Sequence, residues 1–414
     1  MSASNTAFQN RVIYWSRHEY PDSSPEKLIV HRLKSFFEVL AKCPDSRALL
    51  KSSEASEAIK PLGDVLDDVE YGFYAEKIPD KRRFYRAVYL NLSGEVEFPH
   101  LLETLLNHPT LGRADFYFLL NSDIGLKRTN NVNLARSLAM EMAYNYVYAP
   151  CYLRLDQPPH EKNQYGLQGH AILTRHPVSE FQILPLVSQS DPLRWTGKRI
   201  GCQKAIFLRT ATPGGEVNLL TFGLDAVGSP RQRNEQLRSI LSHYEKSPEK
   251  FPLLVAGDWQ TTVYNTRNAA RLFLSFLNKI IRGFDYIAEE HHCHPESYFE
   301  RRIFSYLESL GLDYHTVNQM GIPTWHCRFE DFQLKDGVST HVARAMIRLI
   351  RRFFYHGPEQ ISLKTDWFAV SPHIVQSDLP QAERPKVFPN HFSGGTVITK
   401  HHPMVLDFEL RQGR

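Results

Sequence analysis

The sequence predicts an α/β protein in which two β-sheets pack face to face and carry helices on their outer sides. Three observations lead there. From Phe84 onward, short runs rich in Val, Ile, Phe and Tyr recur, each bounded by Gly, Pro, Asn or Asp, the composition of half-buried strands. Few helical stretches fall between these runs, so the strands must gather into sheets whose apolar faces meet. The chain has 414 residues, 42% hydrophobic and 23% charged, an ordinary globular composition with enough length for one large domain and additions, or for two domains.

Residues 1–80 differ from the rest and are expected to form a helical N-terminal extension. Ser24-Pro25-Glu26 has the form of a helix start, a capping residue followed by Pro at the first helical position. Leu28, Ile29, Leu33, Phe36, Phe37, Leu40 and Ala41 then recur at helical spacing. Cys43-Pro44-Asp45 ends that helix, and a second is expected over 55–69. Strands are predicted over 84–92, 116–120, 144–149, 171–175, 204–210, 217–222, 253–256, 366–370 and 404–410. Helices are predicted over 133–143, from Leu134, Leu138 and Met142, and over 232–245, from Leu237, Ile240 and Leu241. Residues 81–414 therefore read as one domain, interrupted by a mostly helical insertion over about 263–360. Within it, amphipathic helices are expected over 269–281 and 340–355.

The charge excess is small, +4 from 49 basic and 45 acidic residues, and does not by itself argue for nucleic acid. Five scattered cysteines without CxxC spacing speak against a disulfide framework and for a reducing compartment, the cytoplasm. The stretch 1–17 is polar and lacks the apolar core of about 7–15 residues that a secretory signal carries. No run approaches the roughly 20 apolar residues of a membrane span.

The most informative segment is Pro252-Leu253-Leu254-Val255-Ala256-Gly257-Asp258-Trp259-Gln260. An apolar strand that ends in Gly-Asp delivers a carboxylate to the rim of a sheet. Other strand ends carry polar residues too: Tyr89-Leu90-Asn91 before Gly94, Phe116 to Asn121 before Asp123-Ile124-Gly125, Gly169-His170-Ala171-Ile172-Leu173-Thr174-Arg175, Leu219 to Gly223, Lys364-Thr365-Asp366-Trp367, and Thr399-Lys400-His401-His402-Pro403.

In this order the motifs resemble those of the endonuclease/exonuclease/phosphatase superfamily, the fold of deoxyribonuclease I. The resemblance spans about 84–410, apart from the insertion. It implies a four-layer α-β-β-α sandwich of two mixed sheets, with Asp258 as general base, Asp366 orienting His401, and Asn91 near a metal. It also exposes departures. The superfamily's metal-binding Glu is Asn121 here, its first phosphate-binding His is Gly223, its Asn after the Gly-Asp-aromatic is Gln260, its last Asp is Lys400, and His170 stands where Asn is usual. Gln260 is one methylene longer than Asn, a shift of roughly 1.5 Å, more than catalytic placement tolerates. An ammonium at position 400 disfavours a cation and could replace its charge.

These departures lead to the expectation of a catalytically inactive homologue without a metal, retained to bind a phosphate-containing ligand or a protein partner. Two alternatives stand beside it. One is an active metal-dependent phosphodiesterase or phosphatase, using Asp258 and His401 with Mg²⁺ or Mn²⁺. The other is a scaffold acting through the insertion helices of 263–360. Three further features have ordinary readings that are preferred to functional ones. Asp123 and Asp225 are loop acids rather than a relocated metal site. His291-His292-Cys293-His294 with His326-Cys327 lacks the separated spacing of a zinc site. The arginines of 340–355 form a solvated basic face rather than an anion-binding one.

Overall fold

The structure, a computed structural model, describes residues 16–19, 25–77, 79–80, 83–112, 114–155, 162–188, 190–195, 197–226, 228–247, 250–261, 269–328, 348–349, 352–353, 360–389, 391–392 and 396–411. Two large sheets lie face to face. The six-stranded sheet runs in the order Ser16–Glu19, Val178–Pro185, Lys204–Thr212, Gly215–Gly223, Leu253–Asp258, Asp366–Val370. All of its pairings are antiparallel except that of Gly215–Gly223 with Leu253–Asp258. The larger sheet runs Ile374–Gln376, Met404–Leu410, Tyr85–Asn91, Phe116–Ile124, Leu167–Thr174, Asn145–Arg154, Glu70–Phe73, Glu26–Lys27. Only Tyr85–Asn91 and Phe116–Ile124 are parallel neighbours in it.

Three apolar clusters make the layers. Between the sheets, Tyr89, Phe116, Phe118 and Ile172 of one meet Phe181, Ile206, Leu219 and Phe368 of the other. The outer face of the larger sheet is covered by the helices Ser56–Asp67, Phe98–Asn107 and Leu134–Met142. The outer face of the smaller sheet is covered by Pro230–Lys246 and Arg301–Ser309. The long helix Pro230–Lys246 begins at a capping box between Ser229 and Gln232, with Pro230 at its first position, so its orphan N–H groups are satisfied at the start.

Two regions differ from the sequence reading. No helix starts at Pro25 or Glu26, and Ser24 lies outside the described residues. Glu26–Lys27 forms an edge strand against Glu70–Phe73, and helix begins only at Leu33, as a short 3-10 turn leading into Phe37–Lys42. The apolar spacing that suggested one helix instead seats Ile29, Leu33, Phe37 and Leu40 in the outer core. The insertion is also partly built into the outer layer. Ile303, Phe304 and Leu307 pack with Leu237, Leu241 and Trp259, and the buried Arg233 and Glu300 form an ion pair between the two helices. Trp325–Arg328 and Gln360–Leu363 then pair as a two-stranded ribbon. Helix Ala269–Arg282 is present. Most of the expected helix 340–355 lies outside the described residues.

Candidate functional site

The polar strand ends converge because of pairing register. Asn91 lies beside Leu120 in the parallel pair, Gly223 beside Asp258, and Asp258 opposite Asp366. Gly257 is required at its place: a Cβ there would come within 2.4 Å of the Phe222 carbonyl oxygen. Behind the strand end, Trp259 is fully buried and stacks on Trp367, with ring centroids 5.9 Å apart.

Asp258, Asn91, Asp366 and His401 meet in one hydrogen-bonded group. Asn91 Nδ2 donates to Asp258 Oδ2 at 3.1 Å and lies 3.4 Å from His401 Nδ1. His401 Nδ1 is 2.7 Å from Asp366 Oδ2, and Tyr89 donates its hydroxyl proton to Asp366 Oδ1 at 2.6 Å. Tyr89 and Asn91 are alternate residues on one strand of the larger sheet, whereas Asp258 and Asp366 belong to the smaller one. The group therefore bridges the sandwich at its rim. The His401 ring lies parallel to that of Trp325, with centroids 5.4 Å apart.

The charges sort themselves by environment. Burial, reinforced by the Asp366 carboxylate, raises the Asp258 carboxyl from 3.8 to about 7. Burial alone would raise Asp366 as well, but the His401 charge and hydrogen bond outweigh it and hold Asp366 below its usual value. Burial likewise opposes protonation of His401, and Asp366 overcomes it and raises the imidazole. Two adjacent carboxylates are thus pushed apart, one towards neutrality and one into an ion pair.

The departures are seated among the retained residues. Asn121 falls on a bulge in Phe116–Ile124, in the left-handed region at φ 54°, and its Nδ2 donates to Asn91 Oδ1 at 2.7 Å. Gln260 is also left-handed, at φ 49°. Its extra methylene lets the amide fold back, and Nε2 donates to Asp258 Oδ2 at 2.6 Å while the Gln260 N–H donates to Oδ1 at 3.1 Å. Two non-glycine residues in this sparsely populated conformation at one rim mark a strained site.

His170, 1% exposed, accepts the Asn121 N–H at Nδ1. Its proton therefore sits on Nε2, which donates to Gln203 Oε1 at 2.9 Å. Burial lowers His170 to about 4, so the ring is neutral and this tautomer is fixed. The Gln203 carbonyl is in turn directed at His170. The same amide occupies the space beside Gly223: a Cβ at Gly223 would meet Gln203 Nε2 and Oε1 at 3.2 Å. The side chain missing at 223 is thus replaced in space by an amide from the residue that precedes the paired strand Lys204–Thr212.

Lys400 is exposed at the rim, and its methylenes lie across Gly94, whose φ is +99°. A Cβ at Gly94 would come within 2.8 Å of Lys400 Cε. Among the described residues its ammonium has no ion pair. Asn121, His170, Gln203, Asp258, Gln260, Lys400 and His401 open into a cleft of about 870 Å³, which Arg128, Arg154, Trp195 and Arg199 also line. The Arg199 guanidinium covers the Trp195 ring at 4.2 Å and the Tyr152 ring at 4.8 Å.

Asp123 is committed to Arg128 through two hydrogen bonds of 2.7 Å, and Asp225 accepts from Ser188 at 2.6 Å. His291 stacks on Tyr298 at 3.6 Å, and His294 lies 3.2 Å from Glu296. Among the described residues the one cluster of three with donor atoms in mutual reach is Asp258, Asp366 and His401, all within 4.8 Å. A hard divalent ion requires six or more oxygens, or several retained waters, in a regular shell. Here Asp258 accepts from Asn91 and from two Gln260 groups, Asp366 accepts from Tyr89, Thr365 and His401, and Asn91 Oδ1 accepts from Asn121. Asp258, Asp366 and His401 would be the residues to hold a divalent ion, and hydrogen bonds from neighbouring side chains already engage each of them.

No known family's sequence signature matches the chain, and no curated protein sequence matches it. Solved structures do align with it. An endonuclease/exonuclease/phosphatase from Beutenbergia cavernae is 16% identical, over 80% of this chain and 72% of its own, with a TM-score of 0.47. The human Nocturnin catalytic domain, solved with a bound sulfate anion, is 14% identical over 81% and 97%, with a TM-score of 0.44. A mannosyl-6-phosphatase from Bacteroides thetaiotaomicron is 10% identical over 79% and 100%, with a TM-score of 0.44. The fold itself is a four-layer sandwich, two mixed sheets face to face with helices on both outer sides.

Within that fold, three members of the site escaped the sequence reading. Tyr89 had a signal, since it lies two residues before Asn91 on the same strand face. Gln203 and Trp325 had none, because each reaches the cleft from an element distant in sequence.

Proposed function

We propose that the cleft binds a phosphate-bearing anion without hydrolysing it. The observation that carries this reading is the pairing of Asn121 with Asn91 and of Gln260 with Asp258. Carboxamides satisfy the groups that a hydrolase would keep open for a cation. Lys400 at the rim supplies a fixed positive charge in its place, and Gln203 offers an amide N–H₂ turned away from His170. Such donors suit phosphate oxygens. The five cysteines, all free, support a reducing compartment, and we assign the protein to the cytoplasm on that ground.

Calorimetric titration with inorganic phosphate, with and without Mg²⁺, tests the reading. Binding independent of Mg²⁺ is expected, with Lys400→Ala weakening it about tenfold, the worth of one hydrogen bond to a charged group. Binding that requires Mg²⁺, or that ignores Lys400, would count against it.

Active phosphoester hydrolysis is the second reading, and the Asp258 carboxyl favours it. Raised to about 7, it has the affinity of a general base working near neutral pH. His401, whose proton affinity Asp366 raises, would stabilise charge on the reacting phosphoryl oxygen when protonated.

A further inference from the structure

Helix Ala269–Arg282 presents an apolar stripe to solvent. Phe273 is 51% exposed, Leu274 61%, Leu277 42% and Ile281 76%. At about 100° per residue these four positions fall within one arc of about 100°. Lys279, on the other side, is 2% exposed. The helix therefore faces the protein with one side, and among the described residues its second, apolar side is uncovered, which marks an interaction surface. Farther along the insertion, Leu349 and Phe353 are 53% and 57% exposed, next to exposed Arg348 and Arg352.

Charge selects the occupant. Residues 259–284 and 337–358 contain no Asp or Glu, and among the described residues their exposed cations are Arg282, Arg348 and Arg352. A second copy of this chain would set basic segment against basic segment. An anionic lipid surface matches both properties, since it accepts apolar side chains at the acyl boundary and attracts arginine to its headgroups. The helix has 14 residues, about 21 Å of length, against a hydrocarbon thickness of about 30 Å. Its geometry suits lying along the surface.

We propose that the insertion docks the protein on anionic membranes, with Phe273, Leu274, Leu277 and Ile281 entering the interface and the arginines engaging lipid phosphates. This is independent of what the cleft does.

Sedimentation of the full chain with vesicles tests it. Binding to phosphatidylserine-containing vesicles is expected, with little binding to phosphatidylcholine alone and a decline as salt rises. The double variant Leu274→Ser/Ile281→Ser should lose at least about tenfold in partition, because both side chains leave the interface. Arg282→Glu keeps the apolar stripe and should weaken binding to anionic vesicles only. Far-UV circular dichroism confirms that the variants fold. Absence of vesicle binding, or equal binding to neutral and anionic vesicles, overturns the proposal. So does a dimer in light scattering that the same serine variant abolishes, which would assign the stripe to a second copy.

Discussion

Replacing Asp258 with Asn should stabilise the protein, and more so as pH rises. In the folded chain the Asp258 carboxyl is raised from 3.8 to about 7. A group raised in this way contributes its stability below its unfolded value and loses it progressively up to the folded one. The window for Asp258 is therefore about pH 4 to 7, and above it the buried carboxylate is a constant burden. At about 1.4 kcal/mol per pKa unit, moving from about pH 5 to about pH 8 should cost the wild type about 2–3 kcal/mol more than the Asn variant. Both proteins keep the Asp366–His401 pair, and because the Asp258 charge also raises His401, the difference reads Asp258 together with its coupling to that pair. The assay is urea unfolding of both proteins at the two pH values, comparing midpoints at equal slope. An Asn variant whose advantage stays flat across pH would refute the electrostatic assignment. A variant less stable at both values would show that the hydrogen bonds from Asn91 and Gln260 need an anion.

Three other substitutions probe the surroundings. Gly223→His should destabilise by about 1–3 kcal/mol, since Gln203 already fills its space, and adding Gln203→Gly should recover most of that loss in thermal melts. Glu300→Ala should cost about 3–5 kcal/mol by leaving the buried Arg233 unpaired, read by urea unfolding; a cost under about 1 kcal/mol would show that the insertion is not fastened there. Gln203→Leu should weaken phosphate binding while leaving circular dichroism unchanged, and unaltered affinity would remove Gln203 from the site.

Much of the fold was legible because strand signals repeat. Leu253–Asp258, Asp366–Val370 and Met404–Leu410 are dense in apolar residues and end at polar punctuation, so local pattern and global pairing agree. The stretch after Ser24 misled because Pro25 fits a helix start and an edge strand equally well, and pairing with Glu70–Phe73 decided between them. The convergence of Asn91, Asp258, Asp366 and His401 could be anticipated from their strand ends. The ties of Asn121 to Asn91, Gln260 to Asp258 and His170 to Gln203 could not. They depend on a bulge, two left-handed residues and one ring tautomer, none of which has a sequence period. Lys400 was recognisable as a charge, but its course over Gly94 required three-dimensional structure.

The proposed cleft binds its anion and does not hydrolyse it. Release of p-nitrophenolate from bis-p-nitrophenyl phosphate, measured with Mg²⁺, Mn²⁺ and Ca²⁺ for the wild type and Asp258→Ala, tests this most directly. The wild type should release product no faster than the alanine variant in each metal. Turnover by the wild type that Asp258→Ala abolishes would contradict the account and identify an active phosphoesterase.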